Sequence, residues 1–216
     1  MILGITGGLG CGKSTAARFF AAKGFLLIES DRLVREQVLT AGPVKTAIRE
    51  RFGPGVFDAG GEINRTALGA IVFAADQERI WLEALTHPKV WELKRNLLRA
   101  NPGANWALEV PLLFEKSLEN WFDFTLCVAC DPELQLVRLE QRGMNRALAG
   151  QRISKQLPLA RKVELSDFVL WNDGSAAFLE QQVDQIIEEL GGKCGNKPLS
   201  FTQSSYCPDV PSTENR

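Results

Sequence analysis

Long apolar runs are missing from this sequence: no stretch of about 18 uninterrupted apolar residues occurs, so the usual signature of a membrane-crossing helix is absent. The N-terminus also lacks the charged-then-apolar layout of a signal peptide, because its first apolar segment soon gives way to glycines. The expectation is a soluble, cytoplasmic chain with no membrane partner. Net charge of either sign is missing too, with 25 Lys and Arg against 26 Asp and Glu and a formal charge of −1. No global basic field is available to hold nucleic acid, so any anion site has to be local. Five cysteines, Cys11, Cys127, Cys130, Cys194 and Cys207, form an odd set without repeated spacing, which suits reduced thiols better than a disulfide framework. Cys127 and Cys130 make a CxxC inside the apolar run FTLCVAC, with no second pair and no histidine cluster, and are expected to be buried structural thiols.

What is present is a strand-and-helix alternation. At 216 residues and 45% hydrophobic, the chain suffices for one substantial core with a subordinate lobe. ILGIT, FLLIESD, WALEV, FTLCVAC and DFVLW read as strands, separated by segments of helical period such as STAARFFAAKG, PELQLVRLEQRG and GSAAFLEQQVDQIIEELGG. Strands alternating with helices predict a parallel sheet with right-handed crossovers, hence an α/β fold of three layers. Between the second and third strands lie PVKTAIRERFG, NRTALGAIVFAA, DQERIWLEALTHP and KVWELKRNLLRAN, four successive amphipathic helices and more chain than a crossover needs. Residues 32–100 are therefore expected to form a helical substrate lobe, and 143–157 a short basic lid, inside one domain over 1–192. Residues 193–216, polar and without periodicity, are expected to be a disordered tail.

Gly7, Gly12, Lys13 and Ser14 satisfy GxxxxGK[ST], with a strand before and a helix after. Glycines permit positive φ and let backbone N–H groups approach phosphate oxygens, the helix start adds its positive dipole end, Lys13 reaches terminal phosphates, and Ser14 offers a hydroxyl to Mg²⁺. The stretch predicts a nucleoside triphosphate site and leaves the reaction open.

Asp31 ends the second strand, at the edge that faces the ligand crevice of parallel sheets. It suits a proton acceptor in phosphoryl transfer, a carboxylate that helps to hold Mg²⁺, or an N-cap for RLVREQVL. Glu109 ends WALE, where P-loop proteins carry their metal-side carboxylate; an ordinary strand-end acid is the competing reading. Asp131, before Pro132, reads as a helix cap. Arg138 and Arg142 share a helix face, and Arg146, Arg152 and Lys155 follow, a local basic concentration suited to closing over phosphates. His87, with Pro88 between two helices of the insertion, is structural by default, and Arg65, Lys89 and Arg95 are solvated by default.

With these residues in view the chain resembles the dephospho-coenzyme A kinase family, P-loop kinases of the nucleoside-monophosphate-kinase type. GITGGLGCGKST, IESD, NRTALGAIVF, LTHP, EVPLLFE, QLVRLEQR, RISKQ and VLWNDG come in that family's order from about Ile2 to Leu190. The resemblance implies phosphorylation of the ribose 3′-hydroxyl of dephospho-coenzyme A by ATP with Mg²⁺. It implies ATP contacts from Gly10, Cys11, Gly12, Lys13, Ser14 and Thr15, lid arginines Arg138, Arg142 and Arg152, and an adenine edge near Asn172 and Gly174. It makes Asp31 the general base, with Lys13 and Arg142 as its catalytic companions. Asp31, Arg65, His87, Pro111 and Leu112 are implied at the coenzyme site, and Ser14 and Glu109 at the metal. A small molecule is the implied partner, and the chain is expected to be a monomer or weak homo-oligomer.

Departures from the family pattern are Glu109 in place of Asp, Ala147 and Leu148 where acids are common, Trp171 before Asn172, and Cys11 in place of a more usual small residue. Cys11 puts a thiol at a helix N-terminus, where its pKa is expected to fall and nucleotide to shield it. A regulatory GTPase is the competing class. It requires DxxG after the metal strand, where EVPLLFE stands, and NKxD, which NKPL at 196–199 lacks.

Overall fold

The computed structural model describes residues 1–193. In chain order the elements are β1 (Ile2–Gly7), α1 (Lys13–Ala22), β2 (Leu26–Glu29), α2 (Ser30–Leu33) running into a π-helical turn (Val34–Val38), and α3 (Gly42–Phe52). A 3₁₀ turn (Pro54–Val56), α4 (Arg65–Ala74), α5 (Asp76–Ala100) and β3 (Trp106–Glu109) follow. Then come a second 3₁₀ turn (Glu119–Trp121), β4 (Phe124–Ala129), α6 (Pro132–Gln141), α7 (Arg146–Ser154), α8 (Leu159–Leu165), β5 (Phe168–Trp171) and α9 (Ala176–Lys193). The expected tail, with Cys194, Cys207 and the NKPL segment, lies outside the described residues.

The described chain divides into two compact units, residues 1–30 with 101–193, and residues 31–100. In the first, five strands form one parallel sheet in the order β2-β3-β1-β4-β5. All six residues of β1 are buried, as its central place requires: Ile2 pairs with Trp106 of β3 and Leu3 with Phe124 of β4. The chain leaves β1 toward β2 on one side and later returns to β4 on the other. The carboxyl end of β1 is thus a topological switch point, where ligands of such sheets bind. Leu3, Ile5, Phe20, Leu126, Leu170 and Leu179 are almost fully buried and join strands to α1 and α9 in one core. The outer strand β5 is tied to α9 by Gln182, which accepts from Trp171 N (2.9 Å) and donates to Trp171 O (2.8 Å). Trp171 itself is half exposed.

In the helical unit, Val38, Val44, Ile48, Val56, Leu68, Val72 and Val90 make a separate apolar cluster. The glycine-rich loop between α3 and α4 closes on Asp58, whose Oδ1 accepts from Gly60 N and Glu62 N, both at 2.9 Å. Asn64 then caps α4 by accepting from Thr66 N and Ala67 N.

Three local expectations change. The two helices expected around His87 are one 25-residue helix, α5, with Pro88 inside it. Proline cannot donate to the carbonyl four residues back, but Trp81, Leu82, Leu85, Val90 and Leu93 all pack on the unit's core, and that continuous face outweighs one lost bond. Asp31 sits inside the first turn of α2 rather than capping it, since the helix already begins at Ser30. Finally, the structure adds α8, which has no helical signal in the sequence: its central Lys162 interrupts the apolar spacing of Leu159 and Val163 and yet is fully buried.

Candidate functional site

The glycine spacing becomes geometry at the end of β1. Gly7, Gly10 and Gly12 have φ of 141°, 85° and 96°, values that strain any residue with a Cβ. Space forbids one as well: a Cβ would lie 2.1 Å from Val128 O at Gly7 and 2.2 Å from Asn172 Nδ2 at Gly12. Two amide side chains pin the loop from outside, Gln135 Nε2 donating to Leu9 O (2.5 Å) and Asn172 Nδ2 to Cys11 O (2.8 Å). These carbonyls are engaged by the protein, and the loop hands over to α1 with the positive end of its dipole.

Lys13 is buried, with Nζ donating to Gly8 O (2.9 Å) and Gly7 O (3.3 Å). Burial lowers its pKa and the nearby Glu109 carboxylate works against that, so the ammonium is held beside the loop by backbone dipoles and one acid. Ser14 Oγ donates to Glu109 Oε1 at 3.1 Å, which brings together the two oxygen donors expected at the metal. One hydroxyl and one carboxylate fit Mg²⁺, a hard ion that keeps several waters and takes phosphate oxygens for the rest. Among the described residues no group of three or more His, Cys, Asp or Glu is placed to hold a metal ion. Cys127 and Cys130 are buried, as expected.

A cavity of about 210 Å³ opens over the loop. Gly10, Gly12, Thr15, Arg138, Arg142, Asn172 and Gly174 line it, so seven of the residues expected at ATP converge from β1–α1, α6 and the β5–α9 connection. Arg138 Nη1 is buried with no hydrogen-bond partner, a desolvated cationic donor for which a phosphate oxygen is a natural acceptor. Arg142 sits at the C-cap of α6. On α7, capped by Asn145 through Leu148 N, Arg152 is half-buried and does not line this cavity. Arg146 pairs with Glu133 (3.2 Å) and Glu140 (3.1 Å) of α6, so its charge is spent on the α6–α7 contact.

The Cys11 thiol is fully buried and accepts from Cys130 Sγ at 3.2 Å. That hydrogen bond, more than Lys13, lowers its pKa against the opposing effect of burial. Pro111, half-buried, accepts through its carbonyl from Thr6 Oγ1 (3.3 Å), and Leu112 beside it is exposed. Asp31 on α2, Arg65 at the start of α4 and His87 on α5 are exposed residues of the helical unit.

Two residues beside the loop escaped sequence reasoning. Gln135 is legible afterwards as a glutamine on the buried stripe of α6, one turn from Leu139. Lys162 had no local signal at all.

A parallel sheet with a phosphate-gripping loop at its switch point defines a P-loop nucleotide-binding protein of the α/β class. The family model described as Dephospho-CoA kinase matches residues 1–177, and the chain belongs to that family. A dephospho-CoA kinase of Thermosynechococcus vestitus is 44% identical over 197 residues, covering 89% of this chain and 97% of that one. A crystal structure of a Thermus thermophilus protein superposes with a TM-score of 0.75 at 32% identity, covering 88% of this chain and 97% of the other. The dephospho-CoA kinase of Campylobacter jejuni shares the fold, with a TM-score of 0.67 at 24% identity and coverage of 89% and 98%.

Proposed function

We infer that this chain phosphorylates the ribose 3′-hydroxyl of dephospho-coenzyme A with ATP, giving coenzyme A and ADP. Beside family membership, the observation that supports this most is the cavity over the loop, where loop glycines and two arginines of α6 meet. In this reading the loop and Lys13 hold the β- and γ-phosphates, and Arg138 and Arg142 take up charge that spreads over the transferring group. Asn172 and Gly174 border the adenine, with Cys11 and Thr15 contributing backbone. Ser14 and Glu109 hold Mg²⁺, which when bound neutralises phosphate charge. Asp31 accepts the proton of the attacking hydroxyl. The helical unit, with Arg65 and His87, and the turn carrying Pro111 and Leu112 hold the coenzyme, while 143–157 with Arg152 acts as a lid. The enzyme works in the cytoplasm, as a monomer or weak homo-oligomer, without nucleic acid or membrane; among the described residues no helix is long and apolar enough to cross one.

An ADP-release assay with and without dephospho-coenzyme A tests the reaction. Substrate-dependent turnover with ATP well above GTP is expected; its absence contradicts the reading. Asp31→Asn is expected to bind ATP within about twofold of wild type and to lose roughly 10²- to 10⁴-fold in kcat. Turnover near wild type would remove Asp31 from the role of base.

A further inference from the structure

Lys162 is the one fully buried charge among the described residues that the mechanism above does not use. Its ammonium makes an ion pair with Glu115 Oε1 (2.9 Å), donates to Pro111 O (2.8 Å) and lies 3.4 Å from Gln156 Oε1. Glu115 Oε1 in turn accepts from Leu157 N (2.9 Å). Burial pushes the Glu115 carboxyl up, but Lys162 and the Leu157 amide together hold it below its ordinary value, so it stays ionised. Its Oε2 is buried without a hydrogen-bond partner.

Desolvating an ammonium and a carboxylate costs more than packing a methionine and a leucine in the same space. A buried pair is better explained by the geometry it enforces. Here the geometry joins two segments that sequence holds far apart. One is the turn after β3, which hangs from the Glu109 strand end and carries Pro111 and Glu115. The other is the stretch 156–157 at the foot of the basic segment 143–157. Pro111 O also receives Thr6 Oγ1 from the strand that feeds the phosphate loop, so a single carbonyl gathers loop strand, metal-side turn and α8. The positive charge of Lys162 also reaches Lys13 and helps to lower its pKa.

We propose that Lys162, through Glu115 and the Pro111 carbonyl, is a positioning residue for phosphoryl transfer, holding the metal-side turn and the foot of the basic segment in one frame. The proposal rests on the kinase reading above.

The test compares Lys162→Met with the double variant Lys162→Met/Glu115→Leu, each measured for melting temperature, kcat and the KM for ATP. Lys162→Met alone leaves the half-buried Glu115 carboxylate without its ion-pair partner, and is expected to lose both stability and turnover. The double variant replaces the pair by apolar groups and is expected to regain a melting temperature near that of wild type. Its kcat is expected to stay at least about tenfold low with the KM for ATP within about threefold, because alignment rather than binding is lost. A double variant that regains stability together with more than half of wild-type kcat overturns the proposal, since the pair would then serve stability alone. Glu115→Ala, at a partly exposed position, is the second test should the double variant fail to fold. It removes the acceptor for both Lys162 and Leu157, and retention of more than half of wild-type kcat overturns the proposal equally. Absence of substrate-dependent ADP release in the wild type is a separate outcome, which sinks the kinase reading rather than this frame.

Discussion

A lysine in an apolar environment resists protonation, and Lys94 of α5 is such a case: it is 4% exposed, lies over the Trp91 ring at 4.7 Å, and burial brings its pKa down to about 8, with Asp31 opposing. Its folded pKa is below its unfolded value of 10.5, so the unfolded chain binds more protons between those two values and stability rises with pH across that window. Well below pH 8 the full cost is present, on the order of 3 kcal/mol. Lys94→Met is therefore expected to raise the stability at pH 7 and to lessen the gain seen from pH 8 to 10, measured by urea unfolding at a series of pH values. Gly12→Ala makes a contrasting case. Alanine at φ 96° costs about 1–2 kcal/mol, and its Cβ would displace Asn172 Nδ2, which supports the Cys11 carbonyl. ATP affinity is expected to fall by about tenfold or more, read by calorimetry. Residues of this kind were legible in the sequence, because a backbone that needs positive φ leaves glycines at fixed spacing. Gln135 and Lys162 were not, because their partners Leu9 and Pro111 lie 126 and 51 positions away.

At the scale of elements, local signals predicted best where local chemistry decides. Asp131 caps α6 through Glu133 N and Leu134 N, as its place before Pro132 suggested, and Asn145 caps α7 through Leu148 N. All five strands stand where apolar runs ended in turn residues. Prediction failed where packing overrides a local rule. Pro88 reads as a helix break, but α5 continues through it because residues on either side share one buried face. An uninterrupted helix bond should then be available on substitution. Pro88→Ala is expected to raise the melting temperature by several degrees, a gain of about 1–3 kcal/mol. If the α5 turn carrying His87 and Pro88 shapes the coenzyme site, the same variant loses kcat/KM for dephospho-coenzyme A, a stability gain at the expense of function. Thermal melts and steady-state kinetics on one preparation check both.

For the molecule as a whole, the division into a sheet unit and a helical unit gives each its own apolar core. Nucleotide held by residues of the sheet unit is expected to protect amides of α1, α6 and β5 from hydrogen exchange more than those of α3 and α4, a contrast that mass spectrometry resolves by peptide. The parallel sheet could be read from alternating strands and helices, and the helical unit from surplus chain between β2 and β3. The strand order could not, since nothing in β1 alone says that β3 and β4 flank it. The same holds for the phosphate loop, and it has a practical side. Its carbonyls are braced by Gln135 of α6 and by Asn172 after β5, and the backbone of β4 crowds Gly7. Excised, the first 25 residues would keep every letter of GGLGCGKST and lose the scaffold that shapes it. Anyone grafting this grip onto another protein has to carry over a glutamine, an asparagine and a neighbouring strand along with the nine letters.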